Sequence, residues 1–305
     1  MKPYEEFIIE IRELYAILAS IIAENNYSEQ KASEAFKHIV CACVPSVANL
    51  MKDKDWTMLW NKYNNRVKDI LANPDVQNRS VYLIDYALHF YAEREADKES
   101  AYNLFGAFDN TVQELFDVIQ TNPKLQDKFK KKLESKIIEV VNDGQRKADE
   151  ANNSSFKNYV NEIAFFYYIA KHPCLCLSEI EKEMPNGKKA DFHLVCDNSE
   201  YFVDTITIHD TSSQKDINRF IEGKINDKFD KKTQNLHDQY IMERVRVLAI
   251  VEYEDERLLN YSPALPPDKC FPPMIPLMES SDRGNIITLH ALPFGNEIKN
   301  KLTNK

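Results

Sequence analysis

The spacing of apolar side chains changes once along this chain, and that change limits the folds open to it. Up to about residue 140 they recur at three- and four-residue steps. Phe7, Ile8, Ile11, Leu14, Tyr15, Leu18, Ile21 and Ile22 make one such stripe, and Tyr82, Leu83, Tyr86, Ala87 and Phe90 another. That period places them on one side of a helix. Stop signals at Pro45, Asn73-Pro74 and Asn122-Pro123 divide the region into an expected five or six helices. Gly106 is the only glycine before Gly144, which suits helices and disfavours strands joined by tight turns.

Beyond "NDGQRKADEANNSS", residues 142–155, the pattern is different. This stretch has little apolar content and is the expected hand-over between a helical domain at 1–150 and a second domain at 151–305. A helix is predicted from about 155 to 171, then strands at 174–180, 190–196 and 201–209. A polar helix over about 214–243 follows, then a buried strand "VRVLAIVEY" and a last strand in "NIITLHAL". The proline-rich segment 263–276 reads as a loop, because proline neither donates to a ladder nor continues a helix. Helix, strands, helix, strand is an α/β arrangement with a central mixed sheet. No solenoid-length repeat is present.

Composition excludes several classes. With 305 residues and 43% apolar content the chain is too hydrophobic to be disordered. The net charge of −9 divides evenly between the two halves, so nucleic-acid contact would depend on a local basic surface. No apolar run reaches the roughly 18–20 residues that cross a bilayer. The start "MKPYEEFIIEIREL" carries acids where a secretory signal has an apolar core, so the expectation is a cytoplasmic protein without a membrane partner. Six cysteines at 41, 43, 174, 176, 196 and 270 lack a secreted-framework spacing and are expected to be reduced.

Two acids occupy strand positions in "KKADFHLVCDNSEYFVDTITIH". Alternation puts Asp204 on one face with Phe202, Ile206 and Ile208. The same rule puts Asp191 opposite Phe192, Leu194 and Cys196. Two acids near the ends of consecutive strands can approach within a few ångströms, where they repel unless a divalent cation or a base lies between them. On the preceding helix, Phe156, Tyr159, Val160, Ile163, Phe166 and Tyr167 form the buried stripe, and Glu162 sits at its inward edge. Glu162, Asp191 and Asp204 together are a hard-oxygen set suited to Mg2+ or Mn2+, which would polarise a scissile phosphate and activate water.

In this order the elements resemble the PD-(D/E)XK nuclease superfamily, whose fold is that of restriction endonucleases. The resemblance covers about residues 155–260. It rests on "NEIAFFYYIA" for the helix glutamate, "KKADFHL" for the first acid and "YFVDTITI" for the strand in which an acid is followed two residues later by lysine. The helix "DINRFIEGKINDKFDKKTQNL" is similar to one that carries Lys and Gln toward the site. The resemblance implies that Glu162, Asp191 and Asp204 are metal ligands in a Mg2+- or Mn2+-dependent nuclease acting on DNA or RNA. The chain departs from the pattern at Ile206, which stands where the family has its lysine. Lys189, Lys224 and Lys228 are the candidates to supply that amine; Lys188 lies further from Asp191.

Each residue also has a plainer reading. Asp191 alone suits the start of a strand, Glu162 a solvated helix edge, and Asp204 a carboxylate satisfied by Lys, Thr or a backbone amide. Lys124, Lys128, Lys130, Lys131, Lys132 and Lys136 would hold a phosphate backbone or simply face water. His209 is a candidate base, with His172 and His193 nearby; core or surface roles are the alternative. Cys41-x-Cys43 and Cys174-x-Cys176 are too tightly spaced for structural zinc. No Gly-rich phosphate loop, Ser nucleophile elbow or HExxH motif occurs. Two other readings remain beside the nuclease: an inactive nuclease-fold module that binds nucleic acid or a protein, and a helical half that serves as a protein-interaction domain.

Overall fold

The structure, a computed structural model, describes residues 2–23, 28–72, 95–121, 133–135, 137–138, 155–172, 174–196, 199–209, 211–253, 256–261, 267–293 and 295–303. Its helices are α1 (Tyr4–Ala23), α2 (Glu29–Cys43), α3 (Pro45–Ala48), α4 (Asp53–Ala72), α5 (Glu95–Thr121), α6 (Ser155–Lys171), α7 (Ile217–Thr233), α8 (Gln239–Met242) and α9 (Asn296–Thr303). Its strands are β1 (Leu175–Glu183), β2 (Lys189–Cys196), β3 (Ser199–Ile208), β4 (Val245–Val251), β5 (Met274–Ser281) and β6 (Gly284–Ala291). The described residues divide into two compact units. One takes those within Met1–Phe116, Leu133–Ile163 and Ser280–Ile286, the other those within Asp117–Lys132, Ala164–Glu279 and Ile287–Lys305. The expected hand-over at 142–155 lies outside the described residues except for Ser155, as do the stripe beginning at Tyr82 and most of the basic run. No described helix is long and apolar enough to cross a membrane.

In the first unit the predicted stripe of α1 is the buried one: Phe7, Ile8, Ile11, Tyr15 and Leu18 are all core residues, beside Phe36, Ile39 and Val40 of α2. A polar device organises its middle. Asp109 of α5 is buried and accepts from Ser46 N–H at 2.8 Å and Ser46 Oγ at 2.9 Å, with Val47 N–H at 3.4 Å. These N–H groups open α3 and have no partner within that helix, so the carboxylate from α5 caps it. Burial pushes the Asp109 carboxyl up, and the bonds from Ser46 and Val47 oppose the shift.

The second unit holds β1 to β4 and most of β5 and β6, in a sheet of order β1-β2-β3-β4-β5-β6. β1, β2 and β3 pair antiparallel, and β3–β4 and β4–β5 pair parallel, so the sheet is mixed. Strands that pair in parallel need a long crossover, and between β3 and β4 it contains α7. The helix starts at Asp216, whose carboxylate accepts from Arg219 N–H, and it lays Ile217, Ile221 and Ile225 on Ile208, Val247, Ala249 and Val251. β4 is buried along almost its whole length, as a strand covered on both faces must be. On β2, Phe192 meets Phe165 and Phe166 of α6 edge to face.

Two sequence expectations change here. The polar helix expected over 214–243 is interrupted: α7 stops at Thr233, Asn235 takes φ 60°, and α8 is a separate short helix capped by Asp238. The loop expected over 263–276 ends sooner, because β5 begins at Met274 and includes Pro276. Replacing Ile225 by Ala is expected to cost about 2–5 kcal/mol in urea unfolding, since it hollows the layer between α7 and the sheet. Asp227→Ala, on the exposed side of the same helix, is expected to stay within about 0.5 kcal/mol.

Candidate active site

Alternation along β3 turns Phe202, Asp204, Ile206 and Ile208 toward α7. Ile206 and Ile208 pack with Ile217, Ile221 and Ile225, while Phe202 and Phe229 belong to a neighbouring cluster with Leu236 and Val245. Asp204 lies between these groups with no exposure to water. A carboxylate there is costly unless cations reach it. Two do: Lys228 Nζ stands 3.0 Å from Oδ2 and Lys232 Nζ 2.8 Å from Oδ1. Both come from α7, in the row that begins with the isoleucines. Residues 217, 221, 225, 228 and 232 follow steps of four, four, three and four, which keeps them on one side of the helix. That row is apolar over its first half and basic where it passes Asp204.

The turn between β1 and β2 fastens this end of α7. Asn186 Nδ2 donates to the carbonyls of Lys232 at 2.9 Å and Gln234 at 3.1 Å, and Lys188 Nζ donates to the carbonyl of Lys231. The last carbonyls of a helix lack partners within it, and the amide and ammonium supply them. Gly187, at φ 73°, lets the turn close so tightly. In return, Lys232 Nζ donates to the carbonyl of Lys189.

Asp191 is held by β3. Its Oδ2 accepts from Thr205 N–H at 2.7 Å and from Thr205 Oγ1 at 2.8 Å, which leaves Oδ1 outside that pair of bonds. Thr205 follows Asp204 directly, so the two acids are fixed to adjacent residues of one strand. Their repulsion is felt: burial first, and then the charge of Asp191, push the Asp204 carboxyl up against the opposing pull of Lys228 and Lys232.

The other sequence candidates are placed as follows. Glu162 is half-buried on the part of α6 that belongs to the first unit, whereas the two aspartates and their lysines belong to the second. Lys189 is exposed, 4.0 Å from Glu181. Lys224 is exposed with its ammonium 5.4 Å over the ring of Phe220. Of the lysines proposed for the site, Lys228 reaches Asp204. Lys232 and Thr205 were not anticipated, although the four-and-three spacing from Ile217 onward carries the signal for Lys232. His193 Nε2 pairs with Glu200 at 2.9 Å, His209 Nδ1 with Glu252 at 2.9 Å, and His172 Nδ1 accepts from Cys174 N–H at 3.3 Å.

Among the described residues, no group of three or more His, Cys, Asp and Glu side chains is arranged to hold a metal ion. The two carboxylates alone have the hard-oxygen chemistry that Mg2+ and Mn2+ take, and a cation between them would offset the repulsion that adds to burial in raising Asp204. It would compete with the ammonium groups for the Asp204 oxygens. In comparisons with known proteins, no family model, curated protein or solved structure matches the chain.

A carboxyl raised by folding keeps its proton at pH values where the unfolded chain has lost it. The stability contributed by Asp204 is therefore fullest below the ordinary carboxylate value and declines as pH climbs through the raised one. Carbon-detected NMR is expected to show Asp204 titrating lower in Asp191→Asn than in the wild type, and higher in Lys228→Met; shifts of the opposite sign would contradict the assigned causes.

Proposed function

We propose that the sheet-containing unit is a restriction endonuclease-like domain and a Mg2+- or Mn2+-dependent phosphodiesterase acting on nucleic acid. The observation that carries this reading is that Lys228 Nζ reaches Asp204 while Asp191 is bonded to Thr205, the next residue of the same strand. A carboxylate pair with a lysine is the working set implied by the family resemblance, and the amine missing at Ile206 arrives from α7. Asp191 and Asp204 would hold the metal, which when bound polarises the scissile phosphate and lowers the pKa of a water. Thr205 orients Asp191 by two bonds, and Lys228 supplies positive charge toward a phosphate oxygen. Six free thiols suit a reducing, cytoplasmic setting.

A second reading, an inactive nuclease-fold module that binds nucleic acid or a protein, is favoured by one feature. Both oxygens of Asp204 already carry an ammonium, so the four charged groups sum to zero without a metal.

The test is cleavage of single- and double-stranded DNA and RNA in Mg2+, Mn2+ or EDTA, with Asp191→Asn alongside. An asparagine amide oxygen still accepts from Thr205, so the fold is retained while the charge is lost. Metal-dependent cleavage is expected to fall by more than the roughly 10–100-fold that losing a metal's outer partner costs. Undiminished cleavage in the variant would end the enzymatic reading. Nucleic-acid binding without cleavage by the wild type would favour the second.

A further inference from the structure

Two guanidinium groups stand at the end of the sheet where β3 and β4 begin, each against an aromatic ring. That of Arg244 lies 3.6 Å from the ring centre of Tyr240, and that of Arg246 lies 5.4 Å from the ring centre of Tyr201, which meets Phe271 at 5.5 Å and 65°. Arg246 is in register with Val203, on the face of β3 that also carries Tyr201. Tyr240 bonds to Glu200, which alternates to the other face with Phe202. The two stacks thus flank the sheet's end. Backbone carbonyls hold both cations: Arg246 Nη1 donates to those of Glu243 and Val245, and Arg244 Nη1 to that of Tyr240, all at 2.8 Å. A guanidinium has five N–H donors, and among the described residues neither Nη2 has a hydrogen bond and neither group an ion pair. Arg244 Nε is buried without a partner. Glu200, the acid beside them, is taken up by Tyr240 Oη at 3.0 Å and His193 Nε2 at 2.9 Å.

We infer that this end of the sheet binds single-stranded nucleic acid: Tyr240 and Tyr201 offer rings to unpaired bases, and Arg244 and Arg246 take the phosphates between them. The inference shares the nucleic-acid partner of both readings above, needs no metal, and adds the surface and the strandedness. Charge and ring chemistry carry it together. Guanidinium forks match phosphate oxygens, and a ring stacks on any base whose face is not already covered in a duplex. Burial loosens the Arg246 guanidinium's hold on its proton and the charge of Arg244 adds to this, against Tyr201, Asp268 and Cys270. A phosphate would offset that repulsion and fill the spare donors. Tyr240 is 55% exposed although Arg244 and Glu200 fix its ring, so a flat apolar surface is held ready in water. Positions 244 and 246 are roughly 7 Å apart along an extended chain, which lets one strand crossing the sheet's end meet both.

The test measures binding of the full chain, in EDTA, to labelled oligothymidylate, oligouridylate and a duplex of equal length. Fluorescence anisotropy is read over a range of salt, with thermal unfolding alongside, for the wild type, Tyr240→Leu, Tyr240→Phe and Arg246→Gln. The wild type is expected to bind one or both single strands more tightly than the duplex. Tyr240→Leu, which loses the stacking ring, is expected to weaken that binding by about fivefold or more with its salt dependence unchanged, and Tyr240→Phe, which keeps the ring, to stay within about twofold. Arg246→Gln is expected to weaken binding and to make the slope of log affinity against log salt shallower by about 0.7, the share of one phosphate contact on a single strand. Tyr240 is at the surface, so its variants decide the matter should Arg246→Gln lose its fold. No binding to single strands, a preference for the duplex, or wild-type binding by Tyr240→Leu would overturn the inference, and cleavage in Mg2+ or Mn2+ would still uphold the phosphodiesterase reading. Single-strand binding in EDTA that Tyr240→Leu weakens, without cleavage in either metal, would uphold the inference and end that reading.

Discussion

A carboxylate with no access to water keeps its charge only if cations come to it. Asp204 is such a group, and much of the sheet-bearing unit is arranged around bringing Lys228 and Lys232 to it. The isoleucines at 217, 221 and 225 do so from one side. Their burial against Ile208 and β4 fixes the rotation of α7, and with it the direction in which residues 228 and 232 project. The turn at 184–188 does so from the other, by holding the last carbonyls of the helix. Apolar packing sets the angle, and polar capping sets where the helix ends.

The same constraint explains the arrangement of Asp191. Thr205 takes its Oδ2 through backbone and hydroxyl together, so this second acid is fixed to the strand beside the first. The cost is electrostatic: burial and Asp191 raise the Asp204 carboxyl even with two ammonium groups nearby. Lys228 and Lys232 offset the two carboxylates charge for charge.

Much of the fold was legible because the responsible patterns are local. The helix at 155–171 and the strands at 189–196, 199–208 and 245–251 fall within a residue or two of their expected places, since period and β-branched content mark them directly. The break at Thr233 was missed because the polar run from 214 to 243 has no Pro and no Gly near its interruption; Asn235 provides the turn by adopting positive φ. Strand β5 was hidden by Pro276, since proline opposes a strand on local grounds and is tolerated where the ladder does not need its N–H.

At the site, local pattern alone determined that Asp204 shares the inward face of its strand with Ile206 and Ile208, and that a basic helix follows. Which lysines arrive was a matter for the tertiary structure. Lys224 and Lys228 sit four residues apart, yet one lies over Phe220 at the surface and the other reaches Asp204. Residues four apart share a side of the helix, so the two differ by one turn along its axis, and which turn comes level with Asp204 is set by how α7 packs on Ile208, Val247, Ala249 and Val251. The bond from Thr205 to Asp191 is likewise a meeting of two strands, fourteen residues apart, that no single segment encodes.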